Sequence, residues 1–400
     1  MVLVHEIRLE HTQREESVTD TGNRSVNRRD VLKFSILGTG AFAVTAAGGG
    51  HFLINRASAQ ESTPAAGGFD AASCYQPFPD ATMVKYDKVE GPYSLALSNS
   101  YIGNVWRTQM INMANIFVTR PDIAPMIKDW QVASSGEDVS AQIAQMENMI
   151  SSGAQAIIIN AISPTALAPT VQRARQEGVI VVAFDNIVEA DDIVFVNEDQ
   201  VEMGKIWAEW LVDKIGGKGK VLMVNGVAGT SVDADRQNGA MAVFSQHPEI
   251  TTIAVVGKWD PGTAQTVTAN QLASDPDIAG VWCQGGTDGV VRAFEAAGLP
   301  VPPVAGEGEN GFRKQMLNGV TGISLAQSPA LVAVSIRVAL SLLQGEEVPS
   351  AISVPIPSAT NEELEPGVNV FPDGPDNFFT AISIDACGAS FTYEEVKPAE

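Results

Sequence analysis

The chain is short of cysteine, histidine and basic residues, and each shortage excludes a class of protein. Three cysteines without a Cys-x-x-Cys pair cannot build a disulfide-rich scaffold. Four scattered histidines predict no metal site. The 400 residues include 25 Lys and Arg against 47 Asp and Glu, a net charge of −22. Nucleic acid is therefore not expected as a partner, since phosphate binding requires a basic surface, and neither is an anionic membrane surface.

Long apolar runs are also missing, since no segment offers the roughly 20 unbroken apolar residues of a membrane-spanning helix. The N-terminal region instead has the order of an export signal. The pair Arg28-Arg29 precedes a short apolar run rich in Ala and Gly, residues 34–47, and Ala57-Ser58-Ala59 offers a cleavage site. We predict a twin-arginine-type signal peptide over residues 1–59, followed by an N-terminal tether and extension over residues 60–90. The alternative, a transmembrane anchor, conflicts with the short length and glycine content of the run.

Downstream of residue 91, short apolar runs alternate with segments of helical periodicity. Residues 156–159 and 179–184 are continuous apolar runs typical of buried strands, and residues 140–151 carry apolar side chains at helical spacing. Such alternation indicates parallel sheets covered by helices on both faces. The strand–helix units are too many for one comfortable sheet, so we predict an α/β fold of two doubly wound parallel-sheet lobes.

Polar and aromatic residues follow the predicted strands, at the edge where open α/β sheets bind ligands. Planar amides, carboxylates and arginine hold vicinal hydroxyls in pairs, and a tryptophan ring packs on the apolar CH face of a sugar. In the plainer alternative, the polar residues cap helices and the tryptophans belong to the core. Their coincidence at one edge favours a sugar or polyol site. The candidate ligand-binding residues are Asn99, Tyr101, Trp106, Asp185, Asn186, Arg236, Trp259, Gln284, Asn310 and Gln327.

Catalytic groups are missing from this edge. Only His247 lies outside the first 59 residues, and it follows no predicted strand, so no nucleophile–histidine pair is expected. We predict no catalytic residue and no enzyme. A secreted glycosidase stays open as an alternative because it needs only two carboxylates, for which Asp185, Asp288 and Glu309 are available. The loop Gly226-Val227-Ala228-Gly229 fits neither a dinucleotide fingerprint nor a phosphate-binding loop, so no cofactor is expected.

Five segments between residues 91 and 357 stand in a recognisable order. They are Leu97-Ser98-Asn99-Ser100 through Trp106, residues 178–186 ending in Asp185-Asn186, Gly229-Thr230-Ser231 with Arg236, Val281-Trp282-Cys283-Gln284, and Ala326-Gln327-Ser328-Pro329. In this order they resemble the ligand loops of periplasmic sugar-binding proteins of the ribose-binding, type I class, which serve ABC importers. The resemblance implies the type I periplasmic binding protein fold, two lobes joined by a three-segment hinge.

The resemblance also implies boundaries for the lobes and roles for the residues. Trp106 and Trp259 would sandwich the ring, and Asp185, Asn186, Arg236 and Gln327 would bind its hydroxyls. The implied hinge crossovers lie near Phe195–Asp199, Gln327–Ser328 and Pro355–Pro357. The implied lobes are residues 91–196 with 328–356, and residues 197–327 with 357–400, the last including a C-terminal tail.

The chain departs from the family pattern at two ligand loops. Gly285-Gly286 stands where many members have Asn-Asp, and residues 306–310 read Gly-Glu-Gly-Glu-Asn where many have Gly-Phe-Asp-Gly. Those departures indicate a clamp rebuilt for a sugar or polyol other than ribose, with Glu309 or Asn310 as the substitute contact.

The function that the resemblance implies is that of an exported solute-binding protein. It would capture a sugar or polyol in the interlobe cleft and deliver it to the membrane permease of an ABC importer. We expect it to act as a monomer in the periplasm or at the extracytoplasmic cell surface. A sugar sensor for chemotaxis or for a signalling receptor is the alternative with the same fold and ligand.

The three cysteines divide into a pair and a single thiol. Cys74 and Cys387 flank the folded body and would meet an oxidising compartment after export, so we predict a disulfide between them. Cys283 lies in the apolar run Val281-Trp282-Cys283 and is expected to be a buried thiol. Lipid modification of Cys74 is the alternative, although Ala71-Ala72-Ser73 lacks the usual leucine. The tail segment Asn377–Ile384 is predicted to form an extra strand or a brace.

Overall fold

Two large sheets, each flanked by helices, and one small two-stranded sheet lie in the part of the chain that the computed structural model describes, residues 69–191 and 193–398. The predicted signal peptide lies outside the described residues. The strands are β1 (Gln76–Pro77), β2 (Met83–Val84), β3 (Tyr93–Asn99), β4 (Ile127–Ser134), β5 (Ala156–Asn160), β6 (Ile180–Phe184), β7 (Val194–Asn197), β8 (Gly219–Asn225), β9 (Ile250–Val256), β10 (Gly280–Cys283), β11 (Val304–Glu307), β12 (Gly322–Leu325), β13 (Val348–Pro349), β14 (Ala351–Ser353) and β15 (Ser358–Thr360). The helices are α1 (Ala71–Cys74), α2 (Val105–Val118), α3 (Val139–Ser151), α4 (Ala168–Gln176), α5 (Gln200–Ile215), α6 (Ser231–Phe244), α7 (Pro261–Ser274), α8 (Thr287–Ala296), α9 (Asn310–Leu317), α10 (Leu331–Leu343) and α11 (Tyr393–Val396).

The first lobe is built on a seven-stranded sheet and the second on a six-stranded sheet. The strand orders are β1-β14-β7-β6-β5-β3-β4 and β15-β12-β11-β10-β8-β9. Neighbouring strands run parallel except at one edge of each sheet, where β1 pairs with β14 and β15 pairs with β12 in antiparallel fashion. The predicted α/β fold of two doubly wound lobes is confirmed, with the addition of these antiparallel edges.

Burial explains why the central strands read as unbroken apolar runs. Every residue of β5 and β6 is buried, because helices cover both faces of the sheet. Helix α10 is buried along its whole length and packs on α2 and on β5 to β7. Strand β4, which lacks an apolar run and was not predicted, is an edge strand whose residues are all half-buried or exposed.

Within the described residues, the chain passes from one large sheet to the other three times. The crossings follow β7, β12 and β14, close to the positions that the resemblance implied. Two crossings are tied together, because the Ser328 backbone N–H donates to the Glu198 carboxylate at 2.9 Å. Among residues 69–191 and 193–398, no helix has the length and apolarity needed to cross a membrane.

The C-terminal tail departs from the expected lobe assignment. Residues 359–370 pack on the second lobe, but from Phe371 onward the apolar side chains join the core of the first lobe, which they reach across the cleft. We call residues 371–396 the C-terminal strap. The placement of the whole of 357–400 in the second lobe is therefore wrong. Asn377–Ile384 makes isolated bridging contacts and no strand.

A disulfide fixes the strap to the start of the described chain. Cys74 in α1 is bonded to Cys387, with the two Cα atoms 4.6 Å apart, the pair that the sequence singled out. Both residues belong to the apolar core of the first lobe. Cys283 is a free, buried thiol in β10, and burial raises its pKa to about 12.

Candidate functional site

An inner cavity of about 30 Å³ lies between the lobes, at the carboxyl ends of the parallel strands. Six of the predicted ligand-binding residues line it: Trp106, Asp185, Arg236, Trp259, Gln284 and Gln327. The other six lining residues are not among the predicted ligand-binding residues: Asn104, Arg107, Val232, Gly285, Glu307 and Phe379. The inner cavity is thus surrounded mainly by planar polar groups and aromatic rings.

Asp185 is the anionic centre of the first-lobe side. It directly follows β6 and adopts a left-handed backbone conformation with φ of 55°, a strained state that is found preferentially at functional positions. Its carboxylate accepts hydrogen bonds from the side-chain amides of Asn160, Asn186 and Gln327. Its Oδ2 atom also lies 2.6 Å from Nη1 of Arg107. The carboxylate is therefore held in one orientation at the cavity wall.

Arg236 is the cationic centre of the second-lobe side. It lies on α6 and is 2% exposed, and each of its guanidinium nitrogens donates to the protein. Nε donates to Gln200, Nη2 to Gln327, and Nη1 to both the Gln284 carbonyl and Glu307, the last at 2.9 Å. Arg236 therefore holds the other residues of the cavity wall in place in addition to lining the cavity.

Arg107 is the most consequential residue that the sequence analysis missed. It lies in the first turn of α2, where its backbone N–H donates to the Asn104 side chain at 3.2 Å. Its guanidinium is buried and forms an ion pair with Asp185, although no N–H of the guanidinium is aligned with the carboxylate for a hydrogen bond. Within the described part of the chain, Nε and Nη1 of Arg107 have no hydrogen-bond partner. Burial lowers the pKa of Arg107, and Asp185 opposes that shift.

Three aromatic rings supply the apolar surface of the cavity. The Trp106 indole N–H donates to the Gln327 carbonyl at 3.0 Å, and the Trp259 indole N–H donates to Gln284 Oε1 at 3.2 Å. The Trp259 ring lies so close to Gly226 that a Cβ there would fall 2.2 Å from the indole nitrogen. The third ring, Phe379, comes from the C-terminal strap.

Four predicted ligand-binding residues lie outside the inner cavity. Asn99 donates to the Tyr101 carbonyl and to Ser134, and Tyr101 packs against the apolar cluster of Val227, Val232 and Trp259. Asn186 accepts from the Val232 backbone N–H of the opposite lobe at 3.2 Å. Asn310 binds the Phe371 carbonyl and N–H, each at 2.8 Å, and so anchors the strap. These four side chains hold neighbouring residues in place and do not line the inner cavity themselves.

The expected substitute contacts, Glu309 and Asn310, also fall outside the inner cavity. The Glu309 carboxylate accepts the backbone N–H groups of Gly286 and Thr287 at 2.6 and 2.7 Å, at the start of α8. Burial, together with the nearby Asp288 carboxylate, raises the pKa of Glu309 to about 8. Glu307, two residues earlier, lines the cavity instead. Burial raises the pKa of Glu307, and the charge of Arg236 opposes that shift.

The arrangement suits the recognition of a small polyhydroxylated molecule. Carboxylates, amides and guanidinium groups offer paired acceptors and donors at fixed positions, and the aromatic faces accept CH groups. Among residues 69–191 and 193–398, no group of three or more His, Cys, Asp or Glu side chains is arranged to hold a metal ion.

Residues 95–347 match the family described as periplasmic binding protein domain, and the chain belongs to this family. Relatives of known identity include a xylitol-binding protein of Mycolicibacterium smegmatis, 28% identical over 58% of this chain and 68% of that protein. A ribose import binding protein of Haemophilus influenzae is 26% identical over 56% of this chain and 78% of its own length.

Solved structures with the same fold include two ABC transporter solute-binding proteins. The one from Thermobispora bispora is 30% identical with a TM-score of 0.63, covering 66% of this chain and 84% of that one. The one from Actinobacillus succinogenes, with bound D-allose, is 26% identical with a TM-score of 0.60, covering 68% and 98%. The predicted type I periplasmic binding protein fold is thereby confirmed.

Proposed function

We propose that the protein is an exported solute receptor that captures a sugar or polyol and hands it to the permease of an ABC importer. One observation carries the proposal: buried carboxylate, guanidinium and amide groups converge from both lobes on one cavity with aromatic walls. Two relatives are named for binding xylitol and ribose, and one solved structure holds D-allose. These names agree with that ligand class.

The two lobes already meet at the site, and the inner cavity of about 30 Å³ between them must widen to admit a sugar. Gln327, in the second crossing, donates to Asp185 of the first lobe and accepts from Arg236 of the second. Beside the cavity, the Ile187 backbone N–H donates to Ser231 Oγ at 3.0 Å, again joining the lobes. A ligand that binds groups of both lobes favours the closed state, because its affinity for that state is higher. The closed form is then what the permease recognises.

Binding without turnover is part of the proposal. The two carboxylates that line the inner cavity, Asp185 and Glu307, are each paired with an arginine. A glycosidase needs two carboxyl groups that face the scissile bond, whereas Asp185 and Glu307 are engaged by hydrogen bonds from the protein itself. The site therefore suits a ligand that leaves unchanged.

Location and assembly follow from the same proposal. The twin-arginine-type signal at residues 1–59 would direct the folded protein out of the cytoplasm, with the monomer as the working unit. The family to which the chain belongs functions in the periplasm, which agrees with that route. Acidic composition, with a net charge of −22, suits a soluble receptor.

A thermal-shift panel of pentoses, hexoses and polyols tests the proposal, with amino acids and dipeptides as controls. A ligand at 100 times its Kd stabilises the folded state by about 2.7 kcal/mol, which raises Tm by several degrees. The ligand should be recovered chemically unchanged, as judged by NMR. Stabilisation by amino acids or dipeptides alone, or conversion of the ligand, would contradict the proposal.

A further inference from the structure

The C-terminal strap reaches the ligand cavity after crossing the cleft. Its apolar side chains pack in the first-lobe core together with α2 and α10, and the Cys74–Cys387 disulfide holds its far end. The three crossings described above connect the lobes through the hinge. The strap is a fourth covalent path between them, and the one that supplies a ring to the cavity.

At Phe379 the strap is hydrogen-bonded to both lobes. On the first-lobe side, the Gln109 amide of α2 binds the Phe379 backbone twice, donating to the carbonyl at 2.9 Å and accepting from the N–H at 3.0 Å. On the second-lobe side, the Asn310 N–H donates to the Phe378 carbonyl at 2.8 Å, and the Thr380 N–H donates to the Gly308 carbonyl at 3.1 Å. These bonds hold the backbone at Phe379 in place, and so place its ring beside the cavity, independently of any ligand.

The ring lies between two cavities. An outer cavity of about 480 Å³ adjoins the inner one, and three residues line both: Asn104, Trp259 and Phe379. Asn104 caps α2 and Trp259 rests against Gly226, so both are held in place by their own lobes. Phe379, in contrast, belongs to the C-terminal strap and lies more than 50 residues beyond Gln327, the last strand-end residue of the site.

We propose that Phe379 is a specificity-determining residue, which closes the inner cavity against the outer one and limits the ligand to a single small sugar or polyol. The inference rests on the proposed function. The ring would pack on CH groups of a ligand in the inner cavity and would exclude a ligand with a substituent long enough to enter the outer cavity. Loss of the ring joins the two cavities into one larger site.

The test compares Phe379→Ala with wild type on matched ligands: a monosaccharide that binds wild type, its methyl glycoside and a disaccharide containing it, or, for a polyol, its monomethyl ether and a glycoside of it. Calorimetry should show at least a tenfold weaker Kd for the small ligand in the variant. The ratio of affinities should shift by at least tenfold toward the methyl glycoside or the disaccharide.

Phe391→Ala is the matched control, because Phe391 is also a phenylalanine of the strap with 5% exposure and lines neither cavity. It should lower Tm and leave the affinity ratios unchanged. If Phe379→Ala is poorly folded, Phe379→Leu keeps an apolar wall without the ring and should show a smaller shift in the same direction.

Three outcomes are informative. Unchanged affinity ratios in folded Phe379 variants would overturn the inference while leaving the proposed function intact. Equal losses in the Phe379 and Phe391 variants would also overturn it, since they indicate a purely structural role for the strap. Failure of wild type to bind any sugar or polyol would contradict the proposed function itself, and the inference with it.

Discussion

At the level of single residues, the two arginines beside the inner cavity differ in how much of their hydrogen-bonding capacity the protein uses. Arg236 donates from all three guanidinium nitrogens to protein acceptors. Arg107 touches Asp185 but leaves Nε without a partner among the described residues. The first arginine therefore acts mainly by holding the wall together, and the second has donors free for a ligand.

Arg107→Ala should weaken ligand binding and also lower stability, because the buried Asp185 carboxylate loses its cation. Asp185 keeps the amide donors of Asn160, Asn186 and Gln327, which limits the loss of stability and lets affinity be measured on folded variant protein. Loss of a charged hydrogen bond costs about 1.5–3 kcal/mol, a roughly ten- to hundredfold weaker Kd by calorimetry. The matched control is Arg173→Ala, a more exposed arginine of α4 in the same lobe. Wild-type affinity in Arg107→Ala would show that Arg107 does not contact the ligand.

Arg236→Ala should act mainly by destabilising the fold. It leaves the buried Glu307 carboxylate without its cation, and breaking a buried ion pair costs about 3–5 kcal/mol. Urea unfolding measures the loss. Adding Glu307→Gln to the same chain should recover part of it, because the amide carries no charge. An unfolding free energy equal to that of wild type in Arg236→Ala would contradict the structural role.

At the level of elements, the crossings between the lobes contain a buried carboxylate. Glu198 follows β7 and accepts from the Ser328 N–H in the next crossing. Burial raises its pKa to about 8, although the hydrogen bond favours the ionised form. The folded protein therefore keeps a proton there that the unfolded chain releases near its ordinary pKa of 4.5.

Stability should accordingly fall as the pH rises from about 5 to 8. A group whose pKa is higher in the folded protein than in the unfolded chain contributes its full stabilisation below the unfolded pKa. That contribution is lost as the pH rises through the folded pKa, by at most about 1.4 kcal/mol per pH unit for one proton. Denaturation at pH 5, 6.5 and 8 should show this slope in wild type, reduced in Glu198→Gln. The control is Glu177→Gln, at an exposed position. Equal slopes in wild type and Glu198→Gln would contradict the assignment.

The elements also show which parts of the site could be predicted from the sequence. Asp185 and Gln327 were identifiable because they follow buried apolar strands, whose ends define the binding edge. Arg107 was within reach, since it directly follows Trp106 in the first turn of α2. Phe379 was not, because its position depends on contacts with Gln109, which lies 270 residues away. Local sequence patterns predict where strands end, but they do not predict the path of an irregular tail.

At the level of the whole molecule, the disulfide joins the two ends of the described chain. Cys74 and Cys387 are separated by 313 residues, so the bond closes a loop that contains both lobes. In the chain-entropy account, the stabilisation grows with loop length and reaches on the order of 5 kcal/mol for a loop of this size. The bond therefore holds the strap in place in the folded protein and restricts the conformations of the unfolded chain.

Removing the bond should lower the stability of the exported protein. Cys74→Ser with Cys387→Ser should lose about 2–5 kcal/mol in urea unfolding, and dithiothreitol should have the same effect on wild type but none on the double variant. Denatured wild type without reductant should expose one reactive thiol, Cys283. Three reactive thiols in air-oxidised protein would contradict the pairing.

The central claim is that both lobes enclose one small polyhydroxylated ligand and release it unchanged. Calorimetric titration of the purified protein with the pentose, hexose or polyol that stabilises it most tests this directly. We expect a single site per chain, a Kd weakened at least tenfold by Arg107→Ala and little affected by Arg173→Ala, and no product in the recovered solution. Heat that continues with turnover, or affinity that is indifferent to Arg107, would contradict it.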